Sequence, residues 1–152
     1  MSLASLIRVP SPFGDMAVEW SGHVLSCRPV VSGDSGLQDP GDAGLERELE
    51  DMLALRMPLP EEAVPVHPRF PGLWQAVWEI PVGETRSYGD LCRRIGLPAS
   101  LVRAVARALG TNDLCLLIPC HRVIRKDGSL GGYRWGEALK KRILDYERSL
   151  VR

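Results

Sequence analysis

Four prolines within eleven residues, Pro58, Pro60, Pro65 and Pro68, constrain this chain more than any other feature. Each locks φ and removes a backbone N–H, so neither a regular helix nor a central strand can run through the stretch. The segment reads as a linker. It divides the 152 residues into an acidic N-terminal lobe with its linker, 1–67, and a C-terminal lobe, 68–152. With 45% apolar and 25% charged residues, the composition suits packed globular lobes and excludes disordered, collagenous and coiled-coil chains. No apolar run approaches the ~18 residues of a membrane span. Met1 to Pro12 has neither the apolar core nor the cleavage site of a signal peptide. A soluble, cytoplasmic or nucleoid-associated protein without a membrane partner is expected.

Charge divides at the same place. Residues 1–67 carry four Arg and no Lys against eleven Asp and Glu, a net −7, whereas residues 68–152 carry fifteen Lys and Arg against eight acids, a net +7. A basic half on a neutral chain points to a polyanionic partner, with nucleic acid the first candidate. The four cysteines, Cys27, Cys92, Cys115 and Cys120, include no CxxC pair, so reduced thiols and no metal are expected, and no cofactor is implied. Cys27, Cys92 and Cys115 read as core thiols.

Before the linker, Leu6–Val9, Met16–Trp20 and Val24–Val30 read as short strands, Ser32–Gly44 as a loop, and Gly44–Arg56 as an amphipathic helix. After it, a helical face over Gly72–Ile80 stops at Pro81. Ser87 can cap a helix over Tyr88–Ile95 that ends at Gly96, and Ser100 can cap another over Leu101–Leu109. Two short helices joined by a tight turn make a helix-turn-helix candidate, and Arg93, Arg94, Arg103 and Arg107 suit it to DNA. Leu114–Ile118 is a continuous apolar run. Glu137–Leu150 closes the chain as a helix that buries Leu139, Ile143 and Leu144.

The chemistry sits after that apolar run, at Pro119-Cys120-His121-Arg122. A thiol attacks only as thiolate, with an ordinary pKa of about 8.5, so it needs a base or a positive charge beside it. His121 and Arg122 supply one of each. A base works better when a carboxylate fixes its tautomer, and the last helix offers Asp145 and Glu147.

Ile118-Pro119-Cys120-His121-Arg122-Val123-Ile124 resembles the active-site signature of the O6-alkylguanine-DNA alkyltransferases, the methylated-DNA–protein-cysteine methyltransferases. Ile80 to Leu91 resembles the family's entry to its helix-turn-helix, Gly128 to Gly136 its pocket loop, and Lys140 to Glu147 its closing helix. The resemblance runs in order over about residues 70–148. It implies an α/β (α+β) fold in which a small strand-plus-helix lobe joins a mainly helical lobe with a winged helix-turn-helix-like DNA-binding element. It also implies irreversible, single-turnover transfer of an alkyl group from guanine O6 in DNA to Cys120. His121 would take the thiol proton through a water, Glu147 would orient His121, and Tyr88 would share a proton with guanine N3. The damaged nucleotide must leave the stack, and Arg103 would fill its place from the minor groove. Ala104 would let the helix sit close, and Arg107, Asn112 and Arg122 fall on the DNA-binding side, Asn112 as a hinge. Val123, Tyr133 and Arg134 would form the base pocket. The implied partner is double-stranded DNA containing O6-alkylguanine, bound by a monomer. Related proteins that bind the lesion without repairing it lack the cysteine, which this chain has. A Cys–His hydrolase would need an oxyanion hole and has no use for the basic half.

Overall fold

The computed structural model describes residues 4–151. The chain forms two compact units, one of residues 1–63 and 113–117, the other of residues 64–112 and 118–152. The architecture is mixed α/β.

In the first unit, β1 (Ser5–Val9), β2 (Met16–Trp20) and β3 (Val24–Pro29) form an antiparallel sheet in sequence order. Ser5 faces Trp20 and Val9 faces Met16; Met16 in turn faces Pro29. The β2–β3 register slips at Glu19/Trp20, so that Trp20 pairs with Val24, a bulge next to the Ser21-Gly22 turn. Met16, Ala17 and Val18 are all buried, so β2 is covered on both faces. Five residues from late in the sequence join this unit. The Cys27 amide donates to the Asp113 carbonyl at 2.7 Å and the Cys115 amide to the Cys27 carbonyl at 3.0 Å, and Leu114, Cys115, Leu116 and Leu117 are buried. α1 (Ala43–Leu53) starts where Asp42 accepts from the amides of Gly44 and Leu45, an N-cap. It is shorter than the expected span to Arg56, because Leu55 turns left-handed at φ 62°.

The second unit opens with α2 (Leu73–Trp78), which buries Leu73, Trp74, Ala76 and Val77. β4 (Arg86–Ser87) pairs in parallel with β5 (Val123–Ile124). α3 (Tyr88–Arg94) begins with a capping box: Ser87 Oγ accepts from the Asp90 amide at 3.0 Å, and Asp90 accepts from the Ser87 amide at 3.1 Å. It ends at Gly96, left-handed at φ 76°, where the Leu97 amide donates to the Cys92 carbonyl and the Gly96 amide to the Arg93 carbonyl, a Schellman closure. α4 (Val102–Leu109) follows a single 3₁₀ turn, Ala99–Leu101. Ser100 lies inside that turn and does not cap the helix as expected, since the N-cap position falls on Leu101, which has no side-chain acceptor. The helix buries Val105, Ala108 and Leu109 and leaves Arg103 and Arg107, one turn apart, on its exposed face.

α5 (Glu137–Leu150) closes the unit. Its buried residues are Lys140, Ile143, Leu144 and Glu147, spaced as one helical stripe. Here the structure corrects the sequence reading: Leu139 is only half-buried and Lys140 takes the inward place. All four cysteines are reduced and buried. Among the described residues no group of side chains has the makings of a metal site, and no helix is long and apolar enough to cross a membrane.

Candidate active site

Pro119 ends the buried apolar run, and Cys120–Arg122 form one 3₁₀ turn before β5. The tight turn presents Cys120 to a pocket of about 260 Å³ lined by Tyr88, Leu109, Gly110, Gly132, Tyr133 and Arg134. Three elements therefore build the walls: the start of α3, the end of α4 and the loop before α5. At Gly131, φ is +72° and a Cβ would lie 2.9 Å from the Tyr88 hydroxyl, so a residue without a side chain is required there.

Behind the thiol, His121 and Glu147 are both fully buried. Glu147 Oε1 lies 2.6 Å from His121 Nε2 and also accepts from Arg122 Nε at 2.8 Å and Nη2 at 2.7 Å. Its Oε2 accepts from Arg122 Nε at 3.0 Å and from the Gly83 amide at 3.3 Å. Burial alone would raise this carboxyl, but the hydrogen bonds from His121 and Arg122 hold it at about 2. It is therefore ionised and can only accept, which puts the imidazole proton on Nε2 and leaves the lone pair on Nδ1. That Nδ1 is buried and has no hydrogen-bond partner among the described residues. It is the basic atom of the site, and burial lowers its pKa below the ordinary value.

Asn112, itself buried, donates Nδ2 to the Ile118 carbonyl at 3.0 Å and to Cys120 Sγ at 3.1 Å. Burial pushes the Cys120 thiol up to about 11, against the pull of Asn112, Lys140 and Arg134. Tyr88 is also raised, first by burial and then by Cys120.

Lys140 carries no predicted role, yet its fully buried ammonium donates to the carbonyls of Val123, Leu130 and Gly132. It pins β5 and the pocket loop from behind, and burial lowers it to about 8. The signal was present in the sequence, since Lys140 lies two turns before Glu147 on one stripe. Arg134 ties the opposite rim, donating to the Asn112 carbonyl at 2.6 Å.

Several expected roles change. Arg122 is 6% exposed and cannot reach a DNA phosphate; its guanidinium is taken up by Glu147 and by the Ile80 carbonyl at 2.6 Å. Asn112 is buried and does not reach the surface, but its side chain ties the end of α4 to the turn at Ile118 and Cys120, the position the hinge reading gives it. Val123 is buried in β5 and does not line the pocket, whereas Leu109 and Gly110 do. Of the two carboxylates on α5, Asp145 is exposed and paired with Lys141 and Arg148, so Glu147 alone serves His121. Arg103, Ala104 and Arg107 lie on α4 as expected, the arginines exposed. A second groove, about 540 Å³, adjoins Tyr88 and is lined by Arg93, Arg125 and Lys126. Arg93 there pairs with Asp90, and Arg94 is paired with Glu79.

Comparison with known proteins agrees with this geometry. Residues 70–149 match the family model described as 6-O-methylguanine DNA methyltransferase, DNA binding domain. A methylated-DNA--protein-cysteine methyltransferase of Lodderomyces elongisporus is 55% identical over 75 residues, which cover 49% of this chain and 37% of that protein. The chain spans about half or less of the length of the other curated relatives it matches. A crystal structure of Mycobacterium tuberculosis O6-methylguanine methyltransferase superposes with a TM-score of 0.76 at 29% identity, covering 97% of this chain and 94% of that one. Mycobacterium tuberculosis OGT in complex with DNA superposes with a TM-score of 0.74 at 29% identity, covering 95% and 93%. The family match begins before α2 and reaches the last turn of α5, so every residue of the pocket and of the network behind it lies inside, and the chain belongs to the 6-O-methylguanine DNA methyltransferase family.

Proposed function

We propose that this protein repairs O6-alkylguanine in double-stranded DNA by moving the alkyl group irreversibly onto its own Cys120. The observation that carries the reading is a buried cysteine facing a small pocket, with an imidazole lone pair and a saturated carboxylate behind it. In the reaction the O6–C bond breaks as the S–C bond forms in line. The thiol proton passes through a water to His121 Nδ1, and Glu147 stabilises the imidazolium. Guanine leaves as an anion unless protonated, and Tyr88 on the pocket wall shares a proton with N3. Net, the thiol proton ends on guanine and the alkyl group on sulfur. The thioether has no route back, so each molecule acts once.

Cys120 is buried in the pocket wall and the target atom of a stacked base lies inside the duplex, so the nucleotide must flip, at a cost of a few kcal/mol. The α3–α4 pair, with the adjoining β4–β5, serves as a winged helix-turn-helix-like element in the minor groove, with Arg103 in the vacated place and Ala104 allowing close approach. Arg107 and the basic groove of Arg93, Arg125 and Lys126 hold phosphates. The protein works as a monomer, in the cytoplasm or on the nucleoid. Of the two lobes, 1–67 and 68–152, chemistry and DNA binding both fall to the second, without residues 113–117, which pack with the first.

Intact-mass spectrometry after incubation with a duplex containing one O6-methylguanine tests this. A gain of one methylene per molecule, mapped to the Cys120 peptide and lost in Cys120→Ser, is expected. Lesion binding without mass gain overturns the transfer.

A further inference from the structure

The loop over residues 128–136 forms one wall of the pocket, and Lys140 holds it from behind through the carbonyls of Leu130 and Gly132. That grip stops short of the outer half, Tyr133 to Trp135. Glycines at 128, 131, 132 and 136 make such a loop costly to order, so its outer half needs a tether of its own. Across the pocket, α4 ends at Leu109, and the amides of Gly110, Thr111 and Asn112 still donate back to Arg107, Ala108 and Leu109. The carbonyls of Thr111 and Asn112 follow, beside the negative end of the helix. Arg134 Nη1 donates to the Asn112 carbonyl at 2.6 Å and to that of Thr111 at 3.4 Å. Its guanidinium carbon lies 5.5 Å from the centroid of the Trp135 ring, which in turn meets the Tyr133 ring edge-on at 5.3 Å. Trp135 thus gives a permanent cation a flat support and aims it at the helix end.

We propose that Arg134 is a positioning residue for the transfer: it docks the outer half of the pocket loop onto the end of α4 and so keeps the pocket formed before a base enters. The bonds converge on Asn112. Its carbonyl takes Arg134, while its side chain holds the Ile118 carbonyl and Cys120 Sγ. One residue therefore joins the outer loop, the end of α4 and the nucleophile. Without the tether the free protein spends less time with both walls in place, and its apparent affinity for the base falls by that fraction. The reacting atoms are untouched, so the loss falls on loading the pocket and not on the displacement.

This role rests on the proposed alkyl transfer. Transfer is followed at rising concentrations of a duplex containing O6-methylguanine and, separately, of the free O6-methylguanine base, with the wild type and Arg134→Ala. The half-saturating concentration should rise about three- to tenfold for both, the worth of one net hydrogen bond, while the rate at saturation changes far less. Arg134→Lys, which keeps the cation, should recover part of the loss. Amide hydrogen exchange over 133–135 should quicken in Arg134→Ala while that of α2 stays as it was. A rise confined to the duplex would make Arg134 a phosphate contact and overturn the docking. An unchanged half-saturating concentration, or easier uptake of the free base, would overturn it too. Absence of transfer by the wild type would overturn the proposed function, while hydrogen exchange would still decide the docking, which unaltered exchange over 133–135 would refute.

Discussion

Replacing Glu147 with Gln keeps the shape of the side chain and removes its charge. Gln retains one carbonyl acceptor, but its amide nitrogen can only donate. With the carbonyl turned toward His121 and Arg122, the amide nitrogen faces the Gly83 N–H, donor against donor; turned the other way, it faces His121 and Arg122. In either rotamer the buried Arg122 loses its counter-charge, and breaking a buried pair in this way costs about 3–5 kcal/mol. The proton linkage gives a second route to the figure. The carboxyl is held at about 2 against an ordinary 4.5, and that gap corresponds to about 3 kcal/mol. For a chain of this size the loss should lower Tm by about 6–20 °C. The sign of the pH dependence follows from the direction of the shift. A depressed carboxyl contributes its stability above 4.5 and loses it as pH falls toward 2. Wild type and Glu147→Gln should therefore differ most at neutral pH and converge in acid. Urea unfolding at a series of pH values measures both quantities. A difference below about 1 kcal/mol at neutral pH, or one that persists undiminished in acid, would refute the assignment of Glu147 as the counter-ion of the cluster.

Three other perturbations probe separate parts of the second unit. Ser87→Ala removes the acceptor for the Asp90 amide and should cost about 1 kcal/mol, read as a Tm lower by about 2–4 °C; an unchanged Tm would mean that the capping box adds nothing. Lys140→Met strips the donor from three carbonyls, and orphaned buried acceptors cost about 1–3 kcal/mol each. Faster amide hydrogen exchange over 130–134 is expected, and unaltered exchange there would remove Lys140 from the support of the pocket. Arg103→Ala should slow methyl transfer from duplex DNA by about tenfold or more, as each 1.4 kcal/mol of lost flipping support requires, while transfer from the free base changes far less. Equal slowing of both would strip Arg103 of its place in the duplex.

The residues that carry chemistry were legible because they are contiguous. Pro119-Cys120-His121 needs no tertiary information to be read, and the three strands, α2, α3 and α5 follow from period, caps and prolines that act locally, while α4 follows from its period and not from the expected Ser100 cap. What escaped the sequence is what depends on three-dimensional company. The run at 114–117 reads as buried, but nothing local says that Asp113 and Cys115 pair with Cys27. Lys140 escapes because, in a basic half of the chain, a cation on a helix reads as solvated, and Arg122 is read as a positive neighbour of the thiol and a DNA contact, not as the partner of Glu147. Both are instead buried, each because it finds a set of acceptors large enough to replace its water, three carbonyls for Lys140 and a carboxylate plus a carbonyl for Arg122. The stripe Lys140, Ile143, Leu144, Glu147 shows how this defeats hydrophobic periodicity, since the rule locates the inward face correctly and misjudges only what occupies it. A site that must hold a carboxylate away from water needs a permanent cation beside it. The placement of Arg122 directly after His121 meets that need, because one short turn delivers both the imidazole and the guanidinium to Glu147.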